Sequence, residues 1–162
     1  MKRFLAIAAL ASLSGCGLHP LYAGGSKGAV SQALSGISVS LIDGKAGWLM
    51  RNALNDRMSA SGPARYRLDV TLDDKIEGFG VRRDDAITRE RRTLRARFQL
   101  VDVSKGTVLL DATAGSDAGI DAVSSEYATI AAEDTALENL TQTVSDQIVA
   151  RLALYAQRSG AQ

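Results

Sequence analysis

An α+β fold, with a four-stranded, mainly antiparallel sheet and two helices packed on one of its faces in the order β-α-β-β-β-α, is predicted by three observations. Apolar and polar residues alternate strictly around 37–41, 66–73 and 94–114, the period of half-buried strands. Apolar residues recur every three to four positions over 47–59 and again over 127–155, the period of a helix face. Glycine-containing breakers separate these segments. Strands grouped together with helices outside them pack as two layers.

Ile37, Val39 and Leu41 form one face of the first strand, which Asp43-Gly44 ends. Met50, Leu54 and Met58, four apart and flanked by Leu49 and Ala53, define the first helix, and Ser61-Gly62-Pro63 stops it. Tyr66, Leu68, Val70 and Leu72 alternate with Arg67, Asp69, Thr71 and Asp73 in the second strand. Gly78-Phe79-Gly80 and Arg82-Arg83-Asp84-Asp85 read as a connection, followed by a long third strand over 87–101 with Leu94, Ala96, Phe98 and Leu100 facing inward. Asp102-Val103-Ser104-Lys105-Gly106 reads as a hairpin turn, with Gly106 able to supply positive φ. Val108, Leu110, Ala112 and Ala114 return on the same face, and 115–121 reads as a breaker-rich loop. Tyr127, Ile130, Leu137, Leu140, Val144, Ile148, Leu152 and Tyr155 then describe a long amphipathic helix, with one gap of seven filled by Ala131 and Asp134. Ser124 or Ser125 is its candidate N-cap and Glu126 sits at its positive end.

The start of the chain is of a different kind. Basic Lys2 and Arg3 precede an apolar run over 4–13, the pattern of an exported leader. A ten-residue helix reaches roughly 15 Å, half of a bilayer's hydrocarbon core, so the run is too short to span. Leu13-Ser14-Gly15-Cys16 matches the bacterial lipobox, and Cys16 is the single cysteine of the chain. The expected processing is cleavage after residue 15 and lipidation of Cys16, with three acyl chains giving a near-permanent anchor. A free thiol or an intermolecular disulfide are the plainer alternatives. Residues 17–36, rich in Gly, Ser and Ala, read as a flexible tether about 25 Å in reach. The folded domain is then expected over 37–157, with a tail at 158–162.

Loss of Lys2 and Arg3 with the leader leaves 17 of 19 basic side chains against 18 acidic ones, so no global charge favours nucleic acid. The 147 residues that remain of 162 suit one domain. His19, the single histidine, lies in the tether, so Ser/His, Cys/His and histidine-based metal constellations are missing. Asp73-Asp74, Asp84-Asp85 and Glu133-Asp134 fall on turns or polar faces, where solvated charge is commoner than acid–base work. Gly78-Phe79-Gly80 lacks the third glycine and following helix of a phosphate loop. A non-enzymatic chain without cofactor or metal is the expectation.

One feature rises above this background. Seven arginines lie between positions 82 and 97, and strand periodicity puts Arg89, Arg91, Arg95 and Arg97 on one outward face opposite Leu94, Ala96 and Phe98. A rigid row of planar guanidinium forks suits phosphate or carboxylate. The competing reading is a solvated sheet face balanced by Asp69, Asp73 and Asp111 on neighbouring strands.

Gly15-Cys16-Gly17-Leu18-His19-Pro20-Leu21-Tyr22 resembles the Gly-Cys-Gly-Phe-x-Pro-Leu-Tyr start of the LptE family of lipopolysaccharide-assembly lipoproteins. Asn52-Ala53-Leu54, Tyr66-Arg67-Leu68, Phe98-Gln99-Leu100-Val101-Asp102 and Ile148-Val149-Ala150-Arg151-Leu152 follow in the family's order, and Leu18 replaces its phenylalanine. The resemblance implies a lipid-anchored plug inside the outer-membrane β-barrel LptD, assisting its assembly and the insertion of lipopolysaccharide (LPS) into the outer leaflet. It makes Arg89, Arg91, Arg95 and Arg97 candidates for contact with LPS or the barrel. Gly17 rather than aspartate after the cysteine implies an outer-membrane anchor facing the periplasm. An auxiliary lipoprotein of a lipid-transport ABC system is the alternative, since it would share the anchor and the α+β domain without needing a barrel.

Overall fold

The computed structural model describes residues 34–58, 63–81, 87–123 and 125–160. The expected leader, Cys16, most of the tether, Ser61-Gly62, Arg82, Arg83 and Ser124 lie outside the described residues. The elements are β1 (Ile37–Val39), α1 (Gly44–Met58), β2 (Tyr66–Val81), β3 (Ile87–Asp102), β4 (Val108–Asp121) and α2 (Glu126–Gly160). They form one sheet in the order β1-β2-β3-β4. β1 runs parallel to β2 because α1 is the crossover between them, and the other two pairings are antiparallel. The order and class are those the apolar spacing predicts; the sheet is mixed.

Both helices contribute to one core with the sheet's inner face. Met50, Leu54 and Met58 of α1 meet Leu68 of β2, Leu94 and Phe98 of β3, and Leu137, Val144 and Ile148 of α2. The inward set expected for the third strand holds, Leu94, Ala96, Phe98 and Leu100 all being buried. Leu34, just ahead of β1, is buried with them. Among the described residues no helix is long and apolar enough to cross a membrane.

The β3–β4 turn is tied by Asp102, whose carboxylate accepts the Ser104 and Lys105 backbone N–H groups. Gly106 takes the positive φ, 66°, that the return requires. At the α2 start, the Ala128 N–H donates to Ser125 Oγ at 3.4 Å, so Ser125 is the N-cap.

Four expectations are corrected. β1 stops at Val39, and Leu41, expected inward, is 81% exposed. Gly78-Phe79-Gly80 is strand rather than connection, since β3 is long enough to pair with it through Gly78↔Glu90 and Phe79↔Arg89. Residues 115–121 are also strand rather than loop, continuing β4 to Asp121. Gly115 is there for close approach: a Cβ on it would lie 2.4 Å from Arg95 Cδ, which crosses above it. Finally, Tyr127 and Ile130 belong by spacing to the buried stripe of α2 but are 84% and 49% exposed, and burial on that face starts only at Ala136. Between them and Leu137 the helix turns a polar stretch, Glu133-Asp134, toward its neighbours, and the apolar stripe is interrupted there.

Candidate functional site

Strand alternation turns the odd-numbered residues of β2, β3 and β4 to the face that carries no helix. Arg89, Arg91, Arg95 and Arg97 therefore share one surface, as their spacing predicts, with Thr93 in the middle of the row. Cross-strand carboxylates meet three of the four. Arg97 binds Asp111 through two bonds of 3.0 and 2.7 Å, Arg95 reaches Asp117 at 3.0 Å, and Arg89 reaches Asp121 at 3.1 Å. Arg91 has no carboxylate within 4 Å among the described residues, and stacks instead over the Phe79 ring, 5.3 Å from its centroid.

Of the three aspartates expected to balance the row, only Asp111 does so. Asp69 pairs with Arg67 and Asp73 with Lys75 on their own strand. The partners Asp117 and Asp121 lie in the stretch that reads as loop, which hid them from sequence reasoning. Arg97, and after it the Gln99 amide at 2.9 Å, hold the Asp111 carboxyl down at about 2. The native pair thus stays ionised through the ordinary carboxylate range, and its contribution to stability, full at neutral pH, fades as the pH drops below the ordinary value of 3.8 and is lost as it falls through about 2.

Paired and solvent-facing, these ion pairs contribute little to stability, on the order of 0.2–1 kcal/mol each. The guanidinium groups are accordingly available to exchange an aspartate for a denser anion. Counting Arg67, Lys75 and Glu77 with the strand residues above, the face is charge-balanced as a whole, and Arg91 is the arginine of the row with no carboxylate to exchange.

A second polar group was not anticipated. Arg92 has the parity of Leu94, hence faces the core, and is 8% exposed. Asp74 accepts from its Nε and Nη2 at 2.8 and 2.6 Å, and the Glu133 carbonyl of α2 accepts from Nη1 at 2.8 Å. Asp134 next to it takes Lys45 of α1 at 2.7 Å. Burial, and then the neighbouring Glu90 carboxylate, push the Glu133 carboxyl up. Two signals were available in the sequence: the even parity of Asp74 and Arg92 on their strands, and the seven-residue gap in the apolar stripe of α2, which marks where this network crosses from sheet to helix.

Neither constellation resembles a catalytic centre, and among the described residues no group of three or more His, Cys, Asp or Glu could hold a metal. The sequence of residues 34–152 matches a known family, LptE, described as lipopolysaccharide-assembly. The chain belongs to the LptE family. No curated protein sequence matches it. Among solved structures, a lipoprotein from Caulobacter crescentus CB15 superposes with a TM-score of 0.68 at 24% identity, covering 79% of this chain and 96% of that one. A minor lipoprotein from Acinetobacter baumannii gives 0.61 at 14% identity, covering 73% and 90%. Rare lipoprotein B from Shewanella oneidensis gives 0.55 at 12%, covering 76% and 98%. At these identities the likeness is one of fold, and the α+β arrangement of this LptE member is shared by all three.

Proposed function

We propose that this LptE-family chain is the lipid-anchored plug of an outer-membrane LPS translocon, seated in the lumen of the β-barrel protein LptD. The leader over 1–15 is removed, Cys16 carries the lipid, and the domain over 37–157 faces the periplasm, assisting barrel assembly and LPS insertion without catalysis, cofactor or metal. The observation that carries this reading is the family match over nearly the whole folded domain. The lipobox ending at Cys16, in a chain with one cysteine, supports the anchor. The sheet supports contact work: one face is closed by helices, and the other presents a row of charged side chains.

Solubilising outer membranes in detergent and recovering the tagged full-length chain tests the reading. A stoichiometric, heat-modifiable barrel protein of high mass is the expected companion. Recovery of an inner-membrane ATPase complex in its place would refute it.

Arg89, Arg91, Arg95 and Arg97 are the proposed anion contacts, toward LPS phosphates or acidic groups of the barrel lumen. Replacing all four with alanine should weaken LPS capture by the purified protein, with the largest difference at low salt, where exposed charges are least screened. Equal capture by the variant at every ionic strength would exclude the row as an LPS contact.

A further inference from the structure

β4 is an edge strand of 14 residues, and among the described residues no strand lies on its outer side. Long edges are normally blunted by lysine, proline or a bulge. From 109 to 121 this edge has no lysine or proline, and the register shift lies only at its beginning, opposite Leu100 and Val101. What guards it is a side chain. The Gly115 N–H donates to Gln147 Oε1 at 3.2 Å, and Gln147 Nε2 donates back to the Gly115 carbonyl at 3.3 Å. The glutamine amide thus makes the two bonds that a residue of an added strand would make. Because Gly115 points outward, ladder alternation directs the N–H and C=O groups of Thr113, Asp117 and Gly119 outward too.

Open space runs along this edge on both sides of Gln147, between β4 and α2. One cleft of about 540 Å³ includes Thr113, Gly115, Asp117, Gln147 and Arg151. The next, of about 510 Å³, runs past Gly119 and Ile120 and is closed on the helix side by Ala131, Ala132, Thr135 and Ala136. A free edge strand with a helix beside it and a groove between them is the architecture by which a sheet accepts an extended peptide.

The geometry points to β4 and α2 as a seat for one extended strand of a partner polypeptide, which displaces the Gln147 amide and pairs with Thr113 through Gly119. Its chemistry follows from the lining. Short apolar side chains at alternate positions fit the alanine-lined half. An acidic residue fits the other half, where Arg151 has no carboxylate within 4 Å among the described residues. The partner is the barrel protein, so the inference rests on the proposed function and specifies where the two chains join.

The test uses the full-length protein in cells with a photo-crosslinking residue at Asn139, which lines the groove. Gly119 is the position to vary, because a Cβ there would meet nothing within 4 Å. Gly119→Pro removes one outward donor without touching the β3 ladder, as proline is tolerated on an outward-facing edge position. Gly119→Ala keeps the donor. Gln147→Ala removes the competitor for the edge. The expected result is crosslinking to one short stretch of the barrel protein, reduced roughly tenfold by Gly119→Pro, unchanged by Gly119→Ala and raised by Gln147→Ala. Thermal unfolding of the proline variant checks that it is folded, and the Gln147→Ala result stands whether or not it is. Copurification of the barrel with no crosslink from Asn139, crosslinks to LPS or to a second copy of this chain, or yields indifferent to Gln147→Ala would overturn the edge site and leave the translocon reading intact. Failure of the barrel to copurify with the unaltered chain would overturn both.

Discussion

Asp74→Leu lowers the unfolding free energy by about 3 kcal/mol, although Asp74 lies on the polar half of its strand and its side chain is 23% exposed. The cost comes from its partner. Arg92 is 10% exposed at the side chain, and its charge is held by Asp74 and by one carbonyl of α2. Removing the carboxylate leaves a guanidinium in the core with one neutral acceptor, the situation for which broken buried pairs cost about 3–5 kcal/mol; the partial exposure of Asp74 puts the effect at the lower end. The double variant Asp74→Leu/Arg92→Leu recovers most of the loss, since it leaves no stranded charge. Urea unfolding of the two single variants and the double variant gives the coupling directly. A single Asp74→Leu variant as stable as the unaltered protein would mean that Arg92 reaches solvent and that the network does not tie sheet to helix.

Phe98→Ala destabilises by about 3–5 kcal/mol. Phe98 is fully buried in the second half of β3 and belongs to the core cluster to which both helices contribute. It pairs with Val70 on one side and Ala112 on the other, so the methyl of Ala112 has no bulk with which to fill the space. A loss of this size is a large share of the 5–15 kcal/mol typical of a domain, and the variant should be measurably unfolded at growth temperature. Phe98→Leu, which keeps most of the volume, should cost under about 1.5 kcal/mol. Circular dichroism against urea distinguishes the two, and equal midpoints for alanine and leucine would show that the core collapses around the deletion.

Most of the fold is legible in the sequence wherever one face is wet and the other dry. β3 declares itself because Leu94, Ala96, Phe98 and Leu100 alternate with Arg95, Arg97 and Gln99, and the same alternation puts the candidate contact row on one surface. Gly106 and Ser125 are legible because a turn and a helix start each need one particular backbone or side-chain property. The distal half is harder. Glycine ordinarily signals a break, and at Gly78 and Gly115 that signal is overridden by pairing with a long neighbour. Misreading 115–121 as loop conceals both Asp117 and Asp121, so a balanced face is legible but two of its three carboxylate partners are assigned wrongly. Arg92 is overlooked for another reason: composition marks it as surface, while its parity places it among the buried residues. The Gln147 amide on Gly115 joins residues 32 apart and leaves no pattern in either segment.

β2 and β3 each run for 16 residues without interruption. At roughly 3.3 Å per residue such a ribbon is about 50 Å tall, slightly more than the 40–45 Å between the two headgroup surfaces of a bilayer. Because the two strands pair from Tyr66↔Asp102 to Val81↔Ile87, the ribbon behaves as one stiff rod that keeps its outward side chains at fixed spacing from end to end.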